Sequence, residues 1–194
     1  MDLKERVYSV LIVSSAEKLN TAISPLLPEL HYHPVRIVSD VNAAKRTCSE
    51  RSYDFIIVNS PLANDTGVRF AIDNAGLKGA VVLLLVRAEQ YSGVYDKATV
   101  HGVFTLSKPL SRANLSLALS WMESARELLR KNEEKSISVE AKMEEIRLVN
   151  RAKWLLISEL KMEEPQAHRY IEKQAMDRCI SKKEVATEII RSYS

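Results

Sequence analysis

The chain has 194 residues, 46% of them hydrophobic, with only 5 Gly and 6 Pro. That composition builds packed cores and excludes a disordered or collagen-like polypeptide, and the length suits one ordinary domain joined to a smaller one. Net charge is +3, from 28 basic and 25 acidic residues, which permits a polyanionic partner without demanding one. No apolar run reaches the ~18 residues of a membrane span, and Asp2–Arg6 leads directly into a strand rather than a signal peptide. A cytoplasmic protein with no membrane partner is expected. Cys48 and Cys179 lie far apart in the chain and read as reduced thiols.

Five short apolar runs come first: Val7–Val13, Val35–Val38, Phe55–Val58, Val81–Val86 and Val103–Leu106. Most are continuously apolar, as strands buried on both faces of a parallel sheet are. Helical stretches such as Glu17–Leu30 and Val41–Arg51 lie between them, so a doubly wound α/β domain is expected. Ligands of such folds sit at the carboxyl ends of the strands, here just after Val13, Val58, Val86 and Leu106.

Those strand ends carry a resemblance to the receiver domain of bacterial response regulators, over roughly residues 1–120. A phosphorylatable receiver needs acidic magnesium ligands after its first strand and an aspartate nucleophile after its third. This chain has Ser14 and Ser15 in the first place and Asn59 in the second. Val86 stands where the family has a hydroxyl residue, and only Lys108, followed by Pro109, keeps the family's pattern. Asp54 begins its strand at the wrong end and Asp65 lies in the following loop. The resemblance therefore implies a degenerate phosphoacceptor site, with Lys108 either binding an anion or serving structure. No metal, cofactor or catalytic residue is expected.

From Ser111 onward no Pro or Gly occurs until Pro165, so a single long helix is expected. Met122, Ala125, Leu129, Asn132, Ser136, Val139, Met143 and Ile146 recur at alternating spacings of three and four, a heptad pattern. It predicts a coiled-coil connector over residues 111–146 that pairs two copies in parallel; the plainer alternative is a helix packing back on its own receiver. Ser136, beside the polar Asn132, is the expected weak point of the helix.

Residues 145–190 read as three amphipathic helices. The first places Ile146, Val149, Leu156 and Leu160 on one stripe; the second opens at Pro165 and buries Ala167, Tyr170, Ile171 and Ala175. The third follows a capping box, Ser181 to Glu184, and buries Val185, Ala186, Ile189 and Ile190. Arg151-Ala152-Lys153, Leu155-Leu156-Ile157, Tyr170-Ile171-Glu172-Lys173, Ala175-Met176-Asp177-Arg178 and Val185-Ala186 resemble the ANTAR domain of bacterial antitermination regulators. Trp154 and His168 depart from that pattern. The whole reads as α/β plus all-α: a receiver-like, flavodoxin-like five-stranded parallel sheet, a long coiled-coil helix and a three-helix ANTAR bundle over residues 140–194.

The resemblance implies binding to paired RNA stem-loops in a nascent leader transcript, which prevents termination. Carried over by position, Arg151, Lys153, Lys173 and Arg178 are the leading RNA-contact candidates, with Arg169, Gln174 and Lys182 behind them. Arg169 and Lys173 are like charges one helical turn apart, which costs local stability unless something neutralises them. Tyr170 reads as core rather than as a stacking platform. Trp154 reads as a wedge in the helical core or the dimer seam, or as a platform for a loop base; His168 has no acidic neighbour in view. Control would then rest on a regulatory protein or ligand at the receiver, not on phosphate. Two other readings remain open: a protein-interaction adaptor, and a DNA-binding response regulator using the last two helices.

Overall fold

The computed structural model describes residues 6–63 and 65–193. They form two compact units, Met1–Lys131 and Asn132–Ser194. The first holds a five-stranded parallel sheet of β1 (Tyr8–Val13), β2 (Tyr32–Val38), β3 (Phe55–Asn59), β4 (Val81–Arg87) and β5 (Phe104–Lys108). The strand order is β2-β1-β3-β4-β5, so the direction of winding reverses at β1 and β3.

Period-two alternation decides which helix covers which face. Leu11, Val13, Ile56, Val58, Leu84 and Val86 point to one side. There they pack under α2 (Val41–Glu50), α3 (Val68–Asn74) and α4 (Tyr91–Thr99). Val10, Ile12, Phe55, Ile57, Leu83 and Leu85 point to the other, under α1 (Glu17–Ile23) and the start of α5 (Arg112–Leu160). The inner strands are buried throughout, as their unbroken apolar runs predict. The edge strands β2 and β5 are more exposed, because each lacks a neighbouring strand on one side. The expected helix Glu17–Leu30 is shorter: Pro25 follows Ser24 and the chain tightens into a 3-10 turn over Ser24–Leu26. Before α3, Gly67 adopts φ 72° with its α-carbon so close to Val58 that a methyl group would lie 2.6 Å from Cγ1, so only glycine fits there.

α5 is one helix of 49 residues, unbroken at Ser136. Its first part does not follow the expected seam. Met122, Ala118 and Leu119 are buried in the receiver core, with Ala125 and Leu129 packed against it. The plainer reading of the heptad thus holds up to Leu129; the same three-four spacing serves a sheet as well as a partner helix. Polar contacts pin this stretch. Arg126 Nε donates to Asp54 Oδ1 at 2.8 Å, and Asp54 Oδ2 accepts from Ser9 N–H and Ser9 Oγ at 2.9 and 2.8 Å. Tyr8 donates to Glu127 at 3.1 Å, and Tyr32 donates to Glu123. Burial pushes the Asp54 carboxyl up, but the Ser9 and Arg126 hydrogen bonds and the Arg126 charge outweigh it and hold the group below the usual carboxylate range.

In the second unit the end of α5 packs with α6 (Glu164–Asp177) and α7 (Lys182–Ser192). The core is Ala152, Leu156, Ala167, Ile171, Ala175, Val185 and Ala186. Small residues at the crossings let the helices approach closely. The capping box is present: Glu184 N–H donates to Ser181 Oγ at 3.1 Å and Ser181 N–H to Glu184 Oε2 at 2.8 Å. One expected core position, Tyr170, is corrected, and two residues of the first helix's apolar stripe stay outside the core. Ile146, Leu160 and Tyr170 are exposed, since Ala152 and Leu156, with the partly buried Leu148 and Val149, already fill the contact face. Trp154, at 71% exposure, is no wedge in this core. No helix among the described residues is long and apolar enough to cross a membrane.

Asp54→Asn removes the charge that Arg126 Nε and Ser9 donate to, and is expected to cost about 3 kcal/mol in urea unfolding. Because the Asp54 pKa is lowered on folding, its stabilisation is complete above the unfolded value of about 4 and is lost as pH falls through the folded one. The variant's unfolding midpoint should therefore decline less steeply below about pH 4 than that of the native chain.

Candidate functional sites

At the carboxyl ends of the strands, the residues singled out from the sequence do converge, as a closed network. Asn59, the last residue of β3, is buried. Its Nδ2 donates to Ser14 Oγ at 3.2 Å, and its Oδ1 accepts from Lys108 Nζ at 2.9 Å. Lys108 also donates to the Ser60 carbonyl at 2.5 Å. Ser14 Oγ in turn accepts from Ala16 N–H at 3.2 Å. Burial, with the nearby Arg87 charge, lowers the Lys108 pKa. Two of the ammonium's three donors are thus spent on the protein, which favours the structural role over anion binding. Val86 is fully buried in the sheet core and Ser15 is exposed. Asp65 is used locally, accepting from Gly67 N–H at 2.6 Å. Asp54 lies at the amino end of its strand, committed to Ser9 and Arg126.

In the second unit the candidate cations fall into two groups. Lys153 donates to Glu164 at 2.7 Å, Lys182 to Glu172 at 2.5 Å, and Arg178 holds both oxygens of Glu188 at 2.6 and 2.8 Å. Each carboxylate sits below its usual pKa, first of all through that hydrogen bond. Arg151, Arg169 and Lys173 are exposed and make no ion pair among the described residues. Arg169 and Lys173 lie on the outer side of α6, away from the Ala167, Ile171 and Ala175 face. Like charges left one turn apart without a counter-ion leave room for a polyanion.

Two hollows border the compensated cations Lys153, Lys182 and Arg178. One of about 380 Å³ has Ile146 and Val149 as its apolar wall and Lys142, Lys153, His168 and Lys182 around it. The other, of about 230 Å³, includes Tyr170, Gln174, Arg178 and Tyr193. His168 does have an acidic neighbour, which corrects the sequence reading: its Nε2 lies 3.4 Å from Glu172 Oε1, one turn along α6. That spacing was visible in the sequence. Tyr193 carried no signal there, because it lies beyond the last periodic residue of α7.

Residues 138–190 match the family model of the ANTAR domain. The chain is a receiver fold joined to an ANTAR domain. The transcriptional regulatory protein PdtaR of Mycobacterium tuberculosis is 25% identical over 183 residues, covering 94% of this chain and 89% of that protein. Among solved structures, the signal receiver domain of an HD domain-containing protein from Pseudomonas fluorescens has a TM-score of 0.57 at 23% identity, covering 69% of this chain and 96% of that one. The chemotaxis response regulator CheY4 of Vibrio cholerae has a TM-score of 0.51 at 20% identity, covering 60% and 98%. These are likenesses of fold. With the domain match they give the architecture of a receiver-like fold followed by an ANTAR domain.

Lys108→Met should leave Asn59 Oδ1 and the Ser60 carbonyl short of a donor, at a cost of about 2 kcal/mol in thermal unfolding. Unchanged stability would show that the lysine is not the clasp of the cleft.

Proposed function

We propose that the chain is an RNA-binding transcription antiterminator that acts as a homodimer in the cytoplasm and is not switched by aspartyl phosphate. The observation that carries this reading is the ANTAR match over residues 138–190, on a bundle whose Arg151, Arg169 and Lys173 are exposed and uncompensated. Cations of this kind bind phosphates, while sequence is read from unpaired loop bases rather than the deep major groove of an RNA helix. The work is differential binding: holding the leader transcript in a stem-loop arrangement that excludes the terminator. Lys153, Arg178 and Lys182 join the contact only by exchanging their carboxylate partners for RNA phosphates.

Two-fold assembly is supported by the middle of α5. Val139, Met143 and Ile146 are all exposed, at spacings of four and three. That is a seam for a second parallel helix, and it gives the coiled coil a later start than the heptad suggested. Two bundles held together engage two stem-loops with the gain of linked binding. In the receiver, Asn59 offers an amide where a nucleophilic carboxylate would stand, and Ser14 and Ser15 offer no charge to hold magnesium. Regulation therefore belongs to a protein or ligand that recognises this unit.

Three outcomes follow. Incubation with acetyl phosphate and magnesium should leave the intact mass unchanged, and any phosphoryl adduct on the receiver would contradict the account. Arg151→Glu and Lys173→Glu should each weaken binding to a paired stem-loop RNA about tenfold at low salt and flatten the salt dependence, with duplex DNA competing poorly; an adaptor would show no such loss. Replacing Met143 and Ile146 together by lysine should convert the dimer to monomer in sedimentation equilibrium.

A further inference from the structure

The geometry points to a base-binding pocket at the end of the bundle, formed by Tyr170 and Tyr193; we propose that it takes one unpaired nucleobase of the RNA loop. The inference rests on the RNA reading above and adds to it the place where loop sequence is read.

The hollow has a volume of about 230 Å³. Its floor is Leu156 and Val185, both core residues of the bundle. Tyr170 on α6 and Tyr193 just past α7 line it, at 39% and 41% exposure. Half-exposed tyrosines over an apolar floor suit a flat, partly polar guest, to which each offers an aromatic surface and a hydroxyl. The two differ in origin. Tyr170 belongs to the periodic pattern of α6 but is crowded out of a core built from alanines; Tyr193 lies where that of α7 ends.

Charge decides what the guest is. Arg178 borders the hollow, but both oxygens of Glu188 hold its guanidinium, and Glu188 borders the hollow as well. The pair presents no net charge, so the hollow is not a seat for phosphate. It presents edges: the spare lone pairs of the Glu188 carboxylate accept, and the side-chain amide of Gln174 both donates and accepts. A nucleobase with an exocyclic amino group matches that set, as carboxylates and amides match base edges generally. Phosphate binding falls just outside. Arg169 and Lys173 flank Tyr170 in sequence by one and three residues, exposed and uncompensated. A base held against Tyr170 would bring its backbone phosphates to these two cations. Aromatic walls inside and cations outside are how unpaired bases are held when a loop is splayed open.

The test uses the full chain and an RNA enriched by it from a library of paired stem-loops with randomised loops. Each loop position is replaced in turn by 2-aminopurine or pyrrolocytosine, and its emission is followed on binding. One position is expected to lose emission several-fold. Tyr170→Ala and Tyr193→Ala should each abolish that quench and weaken affinity about ten- to a hundredfold, while Tyr170→Phe retains the quench. An abasic site at the same position should cost the native chain the same factor and cost Tyr170→Ala nothing more. Should Tyr170→Ala fail to melt cooperatively, the exposed Tyr193→Ala and Gln174→Ala give the reading. Tight binding with no quenched position, or folded tyrosine variants of unchanged affinity, overturns the pocket and leaves RNA binding standing. Enrichment of no RNA at all overturns the RNA reading and the pocket with it.

Discussion

Between Arg126 and Ala152, α5 contains no buried residue. On one side of this stretch the helix is tied down by Met122 and the Asp54–Arg126 contact; on the other it is a wall of the α6–α7 bundle. In the middle, beyond Leu129 and Arg130 on one side and before Leu148 and Val149 on the other, no side chain enters either core. Isolated helices are marginal in water even when their sequence favours them, and this one carries Asn132, Ser136 and Ser138. A helix that must stay continuous to join two folded units, and that shows Val139, Met143 and Ile146 to solvent, is stabilised when a second copy covers it. In the proposed dimer, pairing serves the fold and the function through the same residues.

In the proposed reading, the carboxyl ends of the receiver strands serve structure rather than phosphoryl chemistry. Asn59, Ser14 and Lys108 form one chain of hydrogen bonds in which the amide's nitrogen and oxygen each have a partner. A phosphorylatable cleft keeps its carboxylate open to solvent and a metal; here the corresponding atoms are sealed and the sheet gains a clasp. At the opposite end of β3, Asp54 is committed to Ser9 and α5.

Much of this was legible in the sequence, for reasons that are local. The inner strands announce themselves as unbroken apolar runs because both faces are covered. Ala167, Ile171 and Ala175 fall on one helical face, and Ser181 with Glu184 marks the start of α7. What could not be read depends on which surface lies opposite. Met122 and Met143 occupy equivalent places in one heptad pattern, yet the first meets a sheet and the second meets solvent. Lys153 and Glu164 are eleven residues apart, and Arg178 and Glu188 ten; no periodicity pairs them. Tyr170 looked like core because tyrosine at a core spacing usually is, but alanines at the helix crossings close the core before its ring can enter.

The sorting of cations that results gives the bundle its logic. Lys153–Glu164, Lys182–Glu172 and Arg178–Glu188 link α5, α6 and α7, while in the proposed function the uncompensated Arg151, Arg169 and Lys173 are left for a polyanion. The central claim is that two such bundles, joined by α5 and without any phosphorylation, hold a pair of RNA stem-loops. The most direct measurement is the affinity of the untreated chain for the selected RNA with both stem-loops, against the same RNA with one deleted, across a salt series. The account predicts that the untreated chain binds the paired form more than tenfold tighter, with an affinity that falls steeply as salt rises. Equal affinity for the two RNAs, or binding that appears only after treatment with a phosphoryl donor, would contradict it.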